Sequence, residues 1–234
     1  MMGSDDKRER VYQAIERVQA SMHKRVPPDE VVNIVRNRYP SPVQFLESSR
    51  IAMMQAGIAR LDAFYYSMIP HLASTCMSQV HGVRPMLDSV TKMAEYLRAL
   101  YIGAHEECFY LVLLNNNGRL IRSYLLQRGG VDSAPFYLRP LLYTTIRDGA
   151  KYIVLSHNHT RGTLRPSKED LMCTLRTLNA VVPIQVSLLD HIIIAKQRAV
   201  SIRETGLIPD VLWTASAPKS RIMREWLDGD LLVD

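Results

Sequence analysis

The stretch that most constrains the fold is CFYLVLLNNNGRLIRSYLLQ, residues 108–127. Two runs rich in leucine, aromatic and β-branched residues flank Asn115-Asn116-Asn117-Gly118, residue types that tolerate the backbone angles of a tight reversal. The pattern predicts an antiparallel hairpin. After it come a helical segment near residues 136–148, a short apolar strand at 152–156, and a helix from Lys168 to about Asn179. Strands near 184–189, 191–195 and 200–202 follow. Strands alternating with helices predict an α/β domain with a mixed sheet.

The preceding half reads as helix alone. Val11, Ile15 and Val18 recur at helical spacing, Pro27-Pro28 ends that segment, and a second helix starts at Asp29. Shorter helices are expected at 42–49 and 51–66, with Pro70 interrupting the pattern, and one amphipathic helix at 85–101 leads into the hairpin. This divides the chain into a helical region (1–84), an α/β domain (85–208) and a tail (209–234). The tail carries Trp213 and Trp226 and forms either a closing helix or a loose end.

Hydrophobic residues make up 47% of the 234, enough for a core. The longest apolar runs are broken by Gln, Ser and Asp well short of the roughly 18 residues of a membrane span, so no membrane association is expected. The polar start MMGSDDKRER lacks the apolar stretch of a secretory signal, and a cytoplasmic location is expected. Three cysteines, Cys76, Cys108 and Cys173, show no paired spacing and read as reduced, buried thiols. The net charge of +6 is spread along the chain, which makes a nucleic-acid partner possible without indicating one.

The chemistry gathers in LSHNHTRGTLRPSKEDL, residues 155–171. Residues i and i+2 of an extended chain share a side, so His157 and His159 can face one point just beyond the 152–156 strand. Seven residues later Ser167-Lys168-Glu169-Asp170 opens a helix. Read alone, Ser-x-x-Asp is a helix N-cap motif. A loop of this length can also return Asp170 to the histidines, and two imidazoles with one carboxylate are a normal set for a catalytic zinc. The two readings are compatible, because a helix end holds its first-turn acid rigidly. No HExxH occurs, which excludes the common helical zinc-peptidase arrangement.

His-x-His, seven residues and Ser-x-x-Asp resemble the signature of the JAMM (MPN, or JAB) metalloprotease domain, and HNHTRGTLRPSKED is similar to its RadC branch. ECFYLVLLNNNGRLI upstream and LLDHIIIAKQRAVSIRETGLI downstream extend the resemblance over residues 86–208. It implies a JAMM/MPN-type mixed β-sheet flanked by helices, cytidine-deaminase-like in architecture, behind the all-helical N-terminal region.

The resemblance further implies one zinc held by His157, His159 and Asp170, with Glu107 as general base and Ser167 steadying an oxyanion. A peptide or isopeptide bond of a protein substrate would then be hydrolysed. Arg139, Asn158, Arg161 and His191 are positions that could orient a ligand or touch substrate.

Two departures stand out. Thr160-Arg161-Gly162 replaces the branch's Pro-Ser-Gly, so Arg161 and Arg165 add charge beside the site. Gly57-Ile58-Ala59 stands where the branch has the Gly-x-Gly of a DNA-binding helix-hairpin-helix, and this degenerate version suggests a packing or docking region. A DNA-repair-associated nucleic-acid-binding protein and a zinc-stabilised, non-catalytic binding module are the competing readings.

Overall fold

A computed structural model describes residues 4–22, 29–80, 84–129, 138–215 and 226. The chain separates into two compact units, Met1–Ser74 and Thr75–Asp234.

From the first unit onward α1 (Ser4–Met22), α2 (Asp29–Arg38), α3 (Pro42–Leu46), α4 (Arg50–Gln55) and α5 (Arg60–Val80) succeed one another, the last residues of α5 belonging to the second unit. Pro27-Pro28 lies outside the described residues. Ser41 and Ser49 cap α3 and α4 by accepting the backbone N–H three residues on. Ile15, Val35, Phe45, Met53 and Tyr66 build the core of this unit. The Tyr66 hydroxyl bonds the Ile15 carbonyl and Gln19 Oε1, and Gln19 reaches Asp62, so the buried polar groups satisfy one another.

The single helix expected at 51–66 is two helices, α4 and α5. Ile58 N–H bonds the Met53 carbonyl, and Gly57 N–H bonds that of Met54, with Gly57 at φ +103°. This is a Schellman ending, which needs one left-handed residue and seals itself with the buried Met53 and Ile58 side chains. Ala59 is not a positive-φ residue, so the turn uses one glycine, in keeping with the degenerate Gly57-Ile58-Ala59 of the sequence. Pro70 lies inside α5 without ending it. The lost hydrogen bond is local, and a long helix with packed residues on one face outlasts it.

In the second unit α6 (Val90–Leu100) precedes β1 (Cys108–Leu114) and β2 (Leu120–Arg128). Then come α7 (Leu138–Arg147), β3 (Tyr152–Asn158), α8 (Lys168–Val181), β4 (Ser187–Ala195), β5 (Arg198–Ser201) and α9 (Asp210–Ala215). The helix expected from residue 85 begins only after Ser89, whose hydroxyl caps it. Residues 85–88 are instead drawn against the hairpin, where Met86 bridges Arg119. The hairpin is as expected, with Asn115 Oδ1 accepting the N–H groups of Asn117 and Arg119 across the turn.

The strand order is β2-β1-β3-β4-β5, with β3 and β4 parallel and the other pairs antiparallel. This is an α/β JAB/MPN-type fold, a mixed sheet flanked by helices. β3 and β4 are buried along their whole length, as strands covered on both faces must be. One face packs on Val90, Met93 and Leu97 of α6 and on Trp226, and the other on Leu141, Cys173, Leu178 and Trp213. Both tryptophans are therefore core residues.

The two strands expected on either side of Asp190 are one strand. Asp190 sits buried in its middle at a β-bulge, where Ile153 pairs with Leu188 and Val154 with Asp190. Leu188 belongs to one core face, while Leu189, Ile192 and Ile194 belong to the other and Ile193 to the first. The extra residue shifts the alternation and brings His191 to the same side as Ile193 and His157.

Candidate metal centre

Three elements converge at the end of β3. His157 is on β3, opposite Phe109 of β1. The Phe109 ring lies 6.0 Å from the His157 ring at 9°, a stack that fixes the imidazole plane. His159 follows immediately, its N–H bonded to the Ile194 carbonyl of β4. Asp170 comes from the first turn of α8, where a capping box locks it. Its Oδ2 accepts the Ser167 N–H at 2.8 Å, and Ser167 Oγ accepts the Asp170 N–H at 3.1 Å.

The donor atoms meet closely. His157 Nε2 lies 2.9 Å from His159 Nε2 and 3.1 Å from Asp170 Oδ1, and His159 Nε2 lies 3.5 Å from Asp170 Oδ2. His157 Nδ1 is turned to His191 Nε2, and His159 Nδ1 donates to the Thr163 carbonyl. Both imidazoles thus present Nε2 to the carboxylate. Lewis-basic atoms this close repel one another unless a cation lies among them, and His157, His159 and Asp170 form a group able to hold a metal ion.

Without a metal a proton takes that place, and the electrostatics follow. His159 is raised above the usual histidine value, first by its hydrogen bond to Asp170 and then, against burial, by the Thr163 carbonyl and the charges of Asp170 and Glu107. Burial works to raise the Asp170 carboxyl, but the hydrogen bonds from both histidines and the Ser167 N–H overcome it and hold Asp170 well below the carboxylate range.

Glu107 lies just before β1, partly buried. In the ladder Phe109 faces His157, and the same register carried two residues back sets Glu107 opposite His159. Its neighbour Glu106 is exposed and approaches Arg128 at 3.5 Å. Asn158 is a backbone clamp: its Oδ1 accepts the Cys108 N–H and its Nδ2 donates to the Glu106 carbonyl, on either side of Glu107. Arg161 is exposed on the loop after His159. Arg139 is exposed in the first turn of α7, and among the described residues it reaches neither an acid nor the histidine group.

Cys108 and Cys173 are buried, and burial pushes both thiols up. Cys76, expected to be buried, is exposed on α5. An exposed helix face needs no apolar match, so the residue type alone misleads there.

Two residues of this neighbourhood were not anticipated. Phe109 is one, and Thr174 is the other. Thr174 Oγ1 bonds the Asp170 carbonyl at 2.7 Å and His191 Nδ1 at 2.7 Å. The available signal was spacing, since Thr174 lies one turn beyond Asp170 on the same helix face.

A family model described as the RadC-like JAB domain matches residues 87–207. The chain belongs to the RadC-like JAB-domain family. Among its relatives is a UPF0758 protein of Neisseria gonorrhoeae, 36% identical over 67% of this chain and 74% of the relative. Another from Aliivibrio fischeri is 34% identical over 70% and 67%, and one from Neisseria meningitidis serogroup B is 29% identical over 67% and 74%. The RadC-like match covers β1 through β5, and with them every residue of the histidine–aspartate group. JAB domains are related to metalloisopeptidases, so membership makes this a JAMM-related protein. No helix among the described residues is long and apolar enough to cross a membrane.

Proposed function

We propose that this RadC-like domain is a zinc-dependent amide hydrolase acting on a peptide or isopeptide bond. The observation that carries the reading is the convergence of His157 Nε2, His159 Nε2 and the Asp170 carboxylate, with the β1–β3 register, carried two residues on, setting Glu107 opposite His159. Three protein donors of this kind suit zinc and leave a further position open. When bound there, zinc supplies Lewis acidity, which acidifies water and polarises a carbonyl.

The chain's own residues do the rest. Glu107 takes the proton from the attacking water and returns it to the departing amine nitrogen. Asn158 keeps the Glu107 backbone in place while this happens. Capping α8 occupies one acceptor position of Ser167 Oγ, and its O–H proton remains a donor for the negative charge that develops on the carbonyl oxygen. Arg161 and Arg165, both exposed on the loop, favour a substrate with acidic groups beside the scissile bond.

The test is cleavage of peptide and isopeptide libraries by zinc-loaded protein, wild type beside Glu107→Gln. Turnover by wild type that Glu107→Gln loses while keeping its zinc supports the reading. Zinc-loaded protein without turnover, indistinguishable from Glu107→Gln, overturns it in favour of a zinc-stabilised binding module. Salt-dependent DNA binding with no cleavage would direct attention to a nucleic-acid partner.

A further inference from the structure

Behind His157 runs a chain of hydrogen bonds that ends on the backbone of its fellow donor Asp170. His157 Nδ1 lies 2.9 Å from His191 Nε2, His191 Nδ1 lies 2.7 Å from Thr174 Oγ1, and Thr174 Oγ1 lies 2.7 Å from the Asp170 carbonyl oxygen. Each short contact requires one proton, and the chemistry decides where each sits. The Asp170 carbonyl can only accept, so Thr174 donates to it. Its single proton spent, Thr174 must accept from His191, which therefore carries its proton on Nδ1. His191 is wholly buried, and its two ring nitrogens face a hydroxyl and an imidazole with no carboxylate against either, so it is neutral. Its Nε2 then accepts, and His157 donates from Nδ1.

We infer that Thr174 is a positioning residue which, acting through His191, fixes His157 as the Nδ1–H tautomer and leaves the His157 Nε2 lone pair free for a metal ion. This rests on the reading of His157 as a metal ligand. Two features of the fold maintain the chain. The bulge at Asp190 turns His191 to this face, with Asp190 Oδ1 accepting the His191 N–H at 2.7 Å and Oδ2 accepting the Ser201 hydroxyl at 2.6 Å. The i, i+4 geometry of α8 ties Thr174 to Asp170, so one helical turn holds one donor by its own carboxylate and sets the proton of another.

Thr174→Val keeps the shape and removes the hydroxyl. An unmatched buried N–H is costlier than an unmatched lone pair, so His191 shifts its proton to Nε2 and donates to His157 Nδ1. His157 then carries its proton on Nε2, where a metal must displace it. Thr174→Ser retains both hydrogen bonds. The experiment uses the full chain, metal-free and 15N-labelled in mildly alkaline buffer, with long-range 1H–15N imidazole spectra to read each tautomer. Zinc affinity is measured separately by competition with a chromophoric chelator.

The expected result is His157 and His191 both protonated on Nδ1 in wild type and Thr174→Ser. In Thr174→Val both protons move to Nε2, and zinc affinity falls by about 10–100-fold. Wild-type His157 protonated on Nε2 overturns the inference without any variant, which guards against a Thr174→Val protein that does not fold. Unchanged tautomers in folded Thr174→Val, or equal loss in the valine and serine variants, overturn it as well. Wild type that binds no zinc yet shows the Nδ1–H pattern defeats the metal reading and leaves the relay standing.

Discussion

Asn158 holds Cys108 across the β1–β3 boundary: its Oδ1 accepts the Cys108 N–H at 2.7 Å, while its Nδ2 reaches the Glu106 carbonyl at 3.1 Å. The residue between His157 and His159 thereby grips the backbone on both sides of Glu107. One dipeptide step of β3 sets the histidines and the acid together, because alternate residues point to opposite sides. Asn158→Ala should leave zinc content unchanged and reduce turnover roughly 10²-fold, the scale of a 1 Å misplacement. Elemental analysis beside a rate assay checks the split; loss of zinc in the variant would place Asn158 in the metal shell instead.

Glu107→Gln and Glu106→Gln test the two adjacent acids. The first should lower turnover on the order of 10²–10⁴-fold with zinc retained, since it removes the proton acceptor. The second should have little effect, because Glu106 is exposed and its ion pair with Arg128 contributes at most about 1 kcal/mol. Equal rates for the two variants would remove Glu107 from the chemistry.

His157→Ala, His159→Ala and Asp170→Ala should each reduce a zinc content of about one per chain towards zero, because three protein donors leave no redundancy. Elemental analysis after desalting decides it. Zinc retained in all three variants would move the metal elsewhere.

Proton and metal compete for the same place, which fixes the sign of the pH dependence. His159 is raised, so a proton holds the site to a pH above the ordinary histidine value of about 6.5, and zinc affinity should climb as pH rises through that range. For the metal-free fold the raised histidine contributes stability that is full below about 6.5 and lost as pH rises through its folded value. The depressed Asp170 contributes stability present above about 3.9 and lost as pH falls through its folded value. The difference in Tm between metal-free wild type and Asp170→Asn should therefore peak between about pH 4 and 6.5. A flat difference from acid to alkaline pH would show that the pair is uncoupled.

Trp226 is 1% exposed and directs its indole N–H at Asp190 Oδ2, 3.5 Å away. Trp226→Ala should cost about 3–5 kcal/mol, as expected for a large side chain removed from a packed face. Removing residues 209–234 should destabilise the domain rather than raise its activity, because Trp213 and Trp226 each fill a core cluster. Denaturant unfolding measures both. A truncated chain as stable as wild type, with faster turnover, would show that this segment covers the site and is not part of the core.

The sequence by itself determined what is local. Asn115 and Gly118 specify a reversal through their own backbone chemistry, the i, i+2 spacing of His157 and His159 sets them on one side, and Ser167 with Asp170 makes a cap from four consecutive residues. Each needs no distant partner to be legible. The family was legible for the same reason, since its motif is a set of short spacings.

The tertiary structure decided the rest. An acid in an apolar run reads as the gap between two strands, yet Asp190 lies inside one. His191 N–H, Arg203 N–H and the Ser201 hydroxyl, gathered from the bulge and from β5 and the turn after it, satisfy the carboxylate. Pro70 reads as a stop, yet α5 runs through it, anchored by Ala63 and Tyr66 in the core of the first unit on the turns before it. Thr174 and His191 are 17 residues apart and on different elements. Only the β3–β4 pairing and the docking of α8 bring them behind His157, where hydrogen bonds between distant residues set the proton that local spacing leaves undefined.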